Sequence, residues 1–182
     1  MENIIAYHCA PALAGIKPAN IVAFYKDKFP NICEEIERLN LELNCRGIYF
    51  EILCECDKRA LIMVYRRKAL EAALRNDEVN AFLLSHGYPE KGSINMYIEH
   101  LKKRLEKEEF PHEIGAFLGY PLHDIYGFIN HKNEGCILCG EWKVYHNAEE
   151  AKKLFKRFDS CRKAVAKKVL GGQTLAQVFC AA

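Results

Sequence analysis

A change of period limits what this chain can become. In the run GIYFEILCEC, Ile48, Phe50, Ile52, Cys54 and Cys56 alternate with Tyr49, Glu51, Leu53 and Glu55. Successive side chains of an extended strand point to opposite faces, so this stretch is a strand with one mostly apolar face. DKR turns the chain and ALIMVY returns, which predicts a hairpin over residues 47–65. A lone two-stranded hairpin is marginal in water, so other elements must cover it.

Those elements read mostly as helices. CAPALAG predicts a short helix with Pro11 in its first turn and Gly15 just past its end, and Pro18 opens a second, PANIVAFY. In NICEEIERLNLEL, Asn31 and Glu34 form a capping box before the stripe Ile32, Ile36, Leu39 and Leu43. Helices follow at about 67–75 and 77–85, the latter stopped by Gly87 and Pro89. Ser93 caps another, with Ile94, Ile98, Leu101 and Leu105 as its stripe. EWKVY predicts a third strand near 141–145. Asn147 and Glu150 begin a last long helix that runs to about Leu170 before Gly171 and Gly172. No linker divides residues 1–182. The expected fold is one α+β domain, helix-rich around a small antiparallel sheet.

Composition excludes several function classes. A net charge of +2 over 182 residues creates no global field for nucleic acid or membrane. No run approaches the roughly 18 apolar residues of a membrane span, and the N-terminal stretch lacks a basic, then apolar, export pattern. Nine cysteines with no export signal read as reduced thiols in a cytoplasm, several of them small buried hydrophobes.

The run EIGAFLGYPLHDIYGFI has the spacing of a helix-turn-helix: Gly115 where helices approach, Gly119 at the turn, and Ile114, Leu118, Ile125 and Phe128 facing inward. A helix-turn-helix-like corner over 111–130, with Pro111 and Pro121 in the first turns, is expected. Its outward candidates, Leu122, His123, Tyr126 and Gly127 with Asp124 near the start, include no Arg, Lys, Asn or Gln to read base edges, and the carboxylate repels phosphate. Nucleic-acid recognition by this element is not expected. The basic stretch KKLFKRFDSCRKAVAKK has the core stripe Leu154, Phe158, Cys161 and Val165, with a solvated face as its ordinary meaning. An interaction module using the corner and this helix, with Lys152, Lys156 and Lys163 as contacts, is the alternative reading.

HCAPALAGIKPAN, VYR, FPHEIGAFLGYPLHDIYGFI, CGEWKVY and the CRKAV…GG tail together resemble a family of small proteins from anaerobic Gram-positive bacteria, a domain of unknown function. The resemblance spans nearly the whole chain and implies one domain with a shared site. Cys136 departs from that family's pattern, which has only the position of Cys139.

Chemistry-bearing residues concentrate at two places. Cys9, if it precedes a helix begun by Pro11, lies at the positive end of a helix dipole that favours thiolate, with His8 beside it. His112 and Glu113 follow Pro111 in a first turn, where the dipole favours the carboxylate and His112 can accept a proton or ligate a metal. A thiol–imidazole site is expected if the fold joins them, with Cys9 as nucleophile or ligand, His112 as base and Glu113 as orienter. His8, Lys17, Asn20, Arg66, Trp142 and Lys143 are the candidate ligand-binding residues, Arg66 as an anion clamp and Trp142 as a pocket wall. The expected partner is a small molecule or cofactor. Cys136-x-x-Cys139 resembles half a zinc knuckle or a redox pair, but zinc wants four ligands, and Cys54 and Cys56 have the spacing of strand packing. No metal site is expected.

Overall fold

The computed structural model describes residues 1–90, 92–107, 110–132 and 134–180. The chain begins with helix α1 (Glu2–Leu13), strand β1 (Ala19–Tyr25) and helix α2 (Ile32–Leu43). The hairpin strands β2 (Ile48–Glu55) and β3 (Arg59–Arg66) follow, then helices α3 (Arg67–Leu74), α4 (Asp77–Ser85) and α5 (Ile94–Leu105). The corner is α6 (Ile114–Phe117) and α7 (Leu122–His131). Two short strands, β4 (Leu138–Cys139) and β5 (Lys143–Val144), precede α8 (Ala148–Leu170) and α9 (Leu175–Cys180). The fold is α+β, with an antiparallel sheet in the order β1-β3-β2 and a separate β4-β5 ribbon.

The sheet is the middle of three layers, and its alternation supplies two cores. Val22, Phe24, Ile48, Phe50, Ile62 and Val64 face α1, α2 and the end of α8. Ala19, Ile21, Tyr49, Met63 and Tyr65 face α3 to α7. A register shift after Ile52 pairs Cys54 with Leu61 of the second face, and Cys56 is exposed, so the apolar face ends earlier than its alternation predicts.

Of residues 18–25, expected as a helix, Ala19–Tyr25 is instead the third strand of the sheet. Pairing of Ala19 with Tyr65 through Tyr25 with Arg59 satisfies this backbone, and Ile21, Val22, Phe24 and Tyr25 suit a pleated surface. The strand expected near 141–145 joins β4 and not the main sheet. The helix expected at Pro11 starts nine residues earlier, at Glu2, and carries Pro11 near its end. Its buried Ile5, Ala6, Cys9, Ala10 and Leu13 line one side, and small residues let α1 lie close along α8.

Caps behave unevenly. Asn76 accepts from the amides of Glu78 and Val79, and Ser93 from that of Met96. Asn31 and Asn147 hold the N-cap positions without a side-chain cap bond. In the corner, α6 is a single turn and Pro121 is the N-cap of α7. Gly127, expected outward, is buried against Tyr145, where an added Cβ would come within 2.5 Å of the ring. The corner turns at Gly119, whose φ of +70° favours glycine and whose missing side chain makes room for the Pro18 ring. That contact seats the corner on the α1–β1 connection. Among the described residues no helix is long and apolar enough to cross a membrane.

Candidate functional site

Lys17 is the least expected residue of the interior. The end of α1 is fixed by Gly15 at φ +74° and by Arg66, which donates from Nε to the Leu13 carbonyl at 2.9 Å. The chain then turns inward before Pro18. Lys17 is left 4% exposed, with Nζ 5.0 Å from the centre of the Tyr120 ring and 5.7 Å from that of Phe158. Both faces attract a cation. Its ammonium has neither a salt bridge nor a hydrogen bond among the described residues. The carboxylate that acts on it most, Glu141, is held by Arg162 in two bonds of 2.6 Å each. Burial pushes the Lys17 amine down to about 8, a shift that Glu141 opposes and Arg162 reinforces.

Lys17 lies in the wall of a polar hollow of about 360 Å³, with His8, Asn20, Tyr120, Glu141 and Arg162 among its neighbours. Asn20 accepts from the Ala12 amide at 3.1 Å, and its own amide group has no protein partner among the described residues. The hollow therefore presents a cation, an amide and an imidazole beside two carboxylates that are already paired, Glu141 with Arg162 and Asp159 with Lys163. Such a surface can hold a small anionic group.

A second hollow, of about 320 Å³ and mainly apolar, also has Tyr120 in its lining. His112, Phe128, Ile125, Trp142 and Lys143 line it, and the His112 ring meets Phe128 edge-on at 5.1 Å. Tyr120 belongs to both hollows, and its ring lies 5.0 Å from that of Trp142.

The expected residues thus divide. His8, Lys17 and Asn20 share the polar hollow; His112, Trp142 and Lys143 share the apolar one. Glu113 leaves its neighbour, is 1% exposed, and accepts from Arg104 Nε at 2.7 Å. Arg66, expected as an anion clamp, donates to the Leu13 and Arg46 carbonyls and lines neither hollow. Cys9 also lines neither. It sits in the last turns of α1, not before its start, and is fully buried in the core beneath the sheet. Burial pushes its thiol up to about 12, outweighing the nearby Lys17 and Arg162, so it stays protonated at neutral pH.

Native alkylation should follow this order. Cys56 is exposed, and the Lys58 and Arg59 amides lower its pKa, so it should be the first thiol modified by iodoacetamide at pH 7. Cys9 should be labelled only once denaturant unfolds the chain. Peptide mapping over a time course checks both, and early labelling of Cys9 would restore the thiolate reading.

Tyr120 and Arg162 were not singled out in the sequence. Arg162 had one available signal, its place beside Cys161 and four residues after Phe158, at the edge of the core stripe of α8. Four of the five runs that carry the resemblance put a residue on the polar hollow: Lys17, Tyr120, Glu141 and Arg162. No curated protein and no solved structure matches the chain. The model of the family described as "Protein of unknown function (DUF3793)" matches residues 5–179, and the chain belongs to that family.

Proposed function

We propose that this is a small-molecule-binding protein whose polar hollow takes a compact anionic group, a carboxylate or a phosphate, against Lys17. The observation that carries the reading is a lysine ammonium buried against two aromatic rings with no counter-ion of its own among the described residues. A buried charge is normally paired, because water no longer stabilises it. A bound anion would supply that pairing, with Asn20 and His8 placed to add hydrogen bonds and the Arg162–Glu141 pair to hold the opposite wall. In this reading Cys9 is a packed core thiol and takes no chemical step.

The test uses inorganic phosphate, acetate, malonate and citrate, each titrated by calorimetry and by thermal melting. At least one should bind saturably at pH 7. Lys17→Met should weaken that binding by tenfold to a hundredfold, the worth of about one charge-assisted hydrogen bond. Lys143→Met should leave it unchanged, because Lys143 lines the other hollow. Affinity should fall as pH rises through about 8, where the free amine loses its proton. An anion that binds equally well to Lys17→Met, or no binding by any of the four, would defeat the reading.

A further inference from the structure

A cluster of ligating atoms lies where α7 meets the end of β5, with Asp124 also lining the apolar hollow. Asp124 is 3% exposed in the first turn of α7. Its Oδ2 accepts from Trp142 Nε1 at 2.7 Å, and its Oδ1 accepts from the Tyr145 and His146 amides at 2.7 and 3.2 Å. These bonds fasten the end of β5 to α7 and bring the His146 side chain beside His123. The two imidazoles meet edge-on with centres 5.2 Å apart, and His123 Nε2 lies 3.6 Å from Asp124 Oδ1. One ligand atom from each of His123, Asp124 and His146 falls within 4.8 Å of the others.

We propose that His123, Asp124 and His146 form a binding site for a divalent first-row transition-metal ion. Metal–ligand bonds of about 2.0–2.2 Å require donor atoms roughly 3–3.5 Å apart. The two histidines are exposed and can close that gap by side-chain rotation, while the carboxylate, the least mobile member, is already in place. Trp142 supplies the outer support that metal-ligating carboxylates commonly need, fixing Oδ2 so that Oδ1 faces the imidazoles. The donor set selects the class of ion. Two imidazoles and one carboxylate suit Zn(II), Co(II) or Fe(II); Ca(II) and Mg(II) prefer oxygen throughout, and Cu(I) prefers sulfur.

Three protein ligands leave at least one coordination position for water or another molecule. Beside the histidines lies a shallow hollow of about 560 Å³, reached by Tyr126, His131, Glu134 and Tyr145. The open position therefore has accessible space next to it, unlike a closed structural zinc site. No single spacing motif could disclose this set, because 22 residues and a change of element separate Asp124 from His146.

The experiment is a Co(II) titration of the full chain after dialysis against EDTA. Visible absorption and the fluorescence of Trp142, the single tryptophan, report binding. One equivalent should bind saturably with visible d–d bands and quench Trp142. His123→Ala and His146→Ala, each at an exposed position that spares the core, should each lower the affinity at least tenfold. Lys17→Met should leave it unchanged, which keeps this result separate from that of the anion titration. The proposal is overturned by absence of saturable uptake, or by affinity that survives both histidine variants. It is also overturned by a strong near-ultraviolet sulfur-to-cobalt band that Cys136→Ser abolishes, since that would place the ion on the thiols.

Discussion

Asp124→Ala should lower the free energy of unfolding by about 3–5 kcal/mol, read from urea melts in the presence of EDTA. The carboxylate takes three hydrogen bonds, from the Trp142 indole and from the Tyr145 and His146 amides. Alanine removes all three acceptor contacts at once. Trp142 is only 8% exposed, so its N–H cannot recover a water without opening the packing against Tyr120 and Phe155. Each orphaned buried donor costs about 1–3 kcal/mol. Asp124→Asn should cost less, about 1–2 kcal/mol, because its carbonyl oxygen still accepts while its amide cannot. An alanine variant as stable as the parent would mean that α7 and the β4–β5 ribbon are held together by apolar contact alone.

The opposite sign is expected at Lys17. Held at about 8 in the fold against an ordinary 10.5, a protonated Lys17 costs the folded state about 3 kcal/mol. Lys17→Met keeps a long flexible side chain between Tyr120 and Phe158 and removes the charge. Allowing for lost attraction to those rings, the variant should gain about 1–3 kcal/mol at pH 7. The pH dependence follows from proton counts. Between about 8 and 10.5 the unfolded chain binds more protons at this position than the folded one, so the wild type gains stability as pH rises. The advantage of Lys17→Met is therefore full below about 8 and gone by about 10.5. Cys9 works in the reverse direction from about 9 upward, because its folded thiol holds a proton that the unfolded one gives up. Comparing variant with parent at each pH cancels that contribution. A methionine variant less stable than the parent at pH 7 would show that the ammonium is well solvated or paired. Gain of stability together with loss of anion binding is the signature of a charge kept for function.

Where the sequence carried both a period and a stop signal, it could be read. The stripe Ile32, Ile36, Leu39 and Leu43 is the buried face of α2, and α4 spans Asp77–Ser85 as its flanking signals indicate. The first 25 residues misled because proline and glycine punctuate more than one structure. Pro11 is a common helix-start signal, yet here six other buried side chains of α1, from Ile5 to Leu13, hold the helix against α8 and the sheet in spite of it. PANIVAFY carries too few residues to separate helical from strand periodicity, and the free edge of β3 decides the matter. The pairing of Cys9 with His8 and of His112 with Glu113 failed for a geometrical reason. His8 and Cys9 are neighbours on α1 and project about 100° apart, so one faces the polar hollow while the other enters the core. His112 and Glu113 lie in the turn before α6, one on the apolar hollow and the other in the ion pair with Arg104.

Tyr120 has a role that follows from its position between the two hollows. Its ring meets both a cation and an indole, each 5.0 Å from its centre, and its hydroxyl donates to the Glu141 carbonyl at 3.1 Å. A tenant that tilts the ring on one side redraws the room next door. The two compartments thus share a movable boundary in this one side chain.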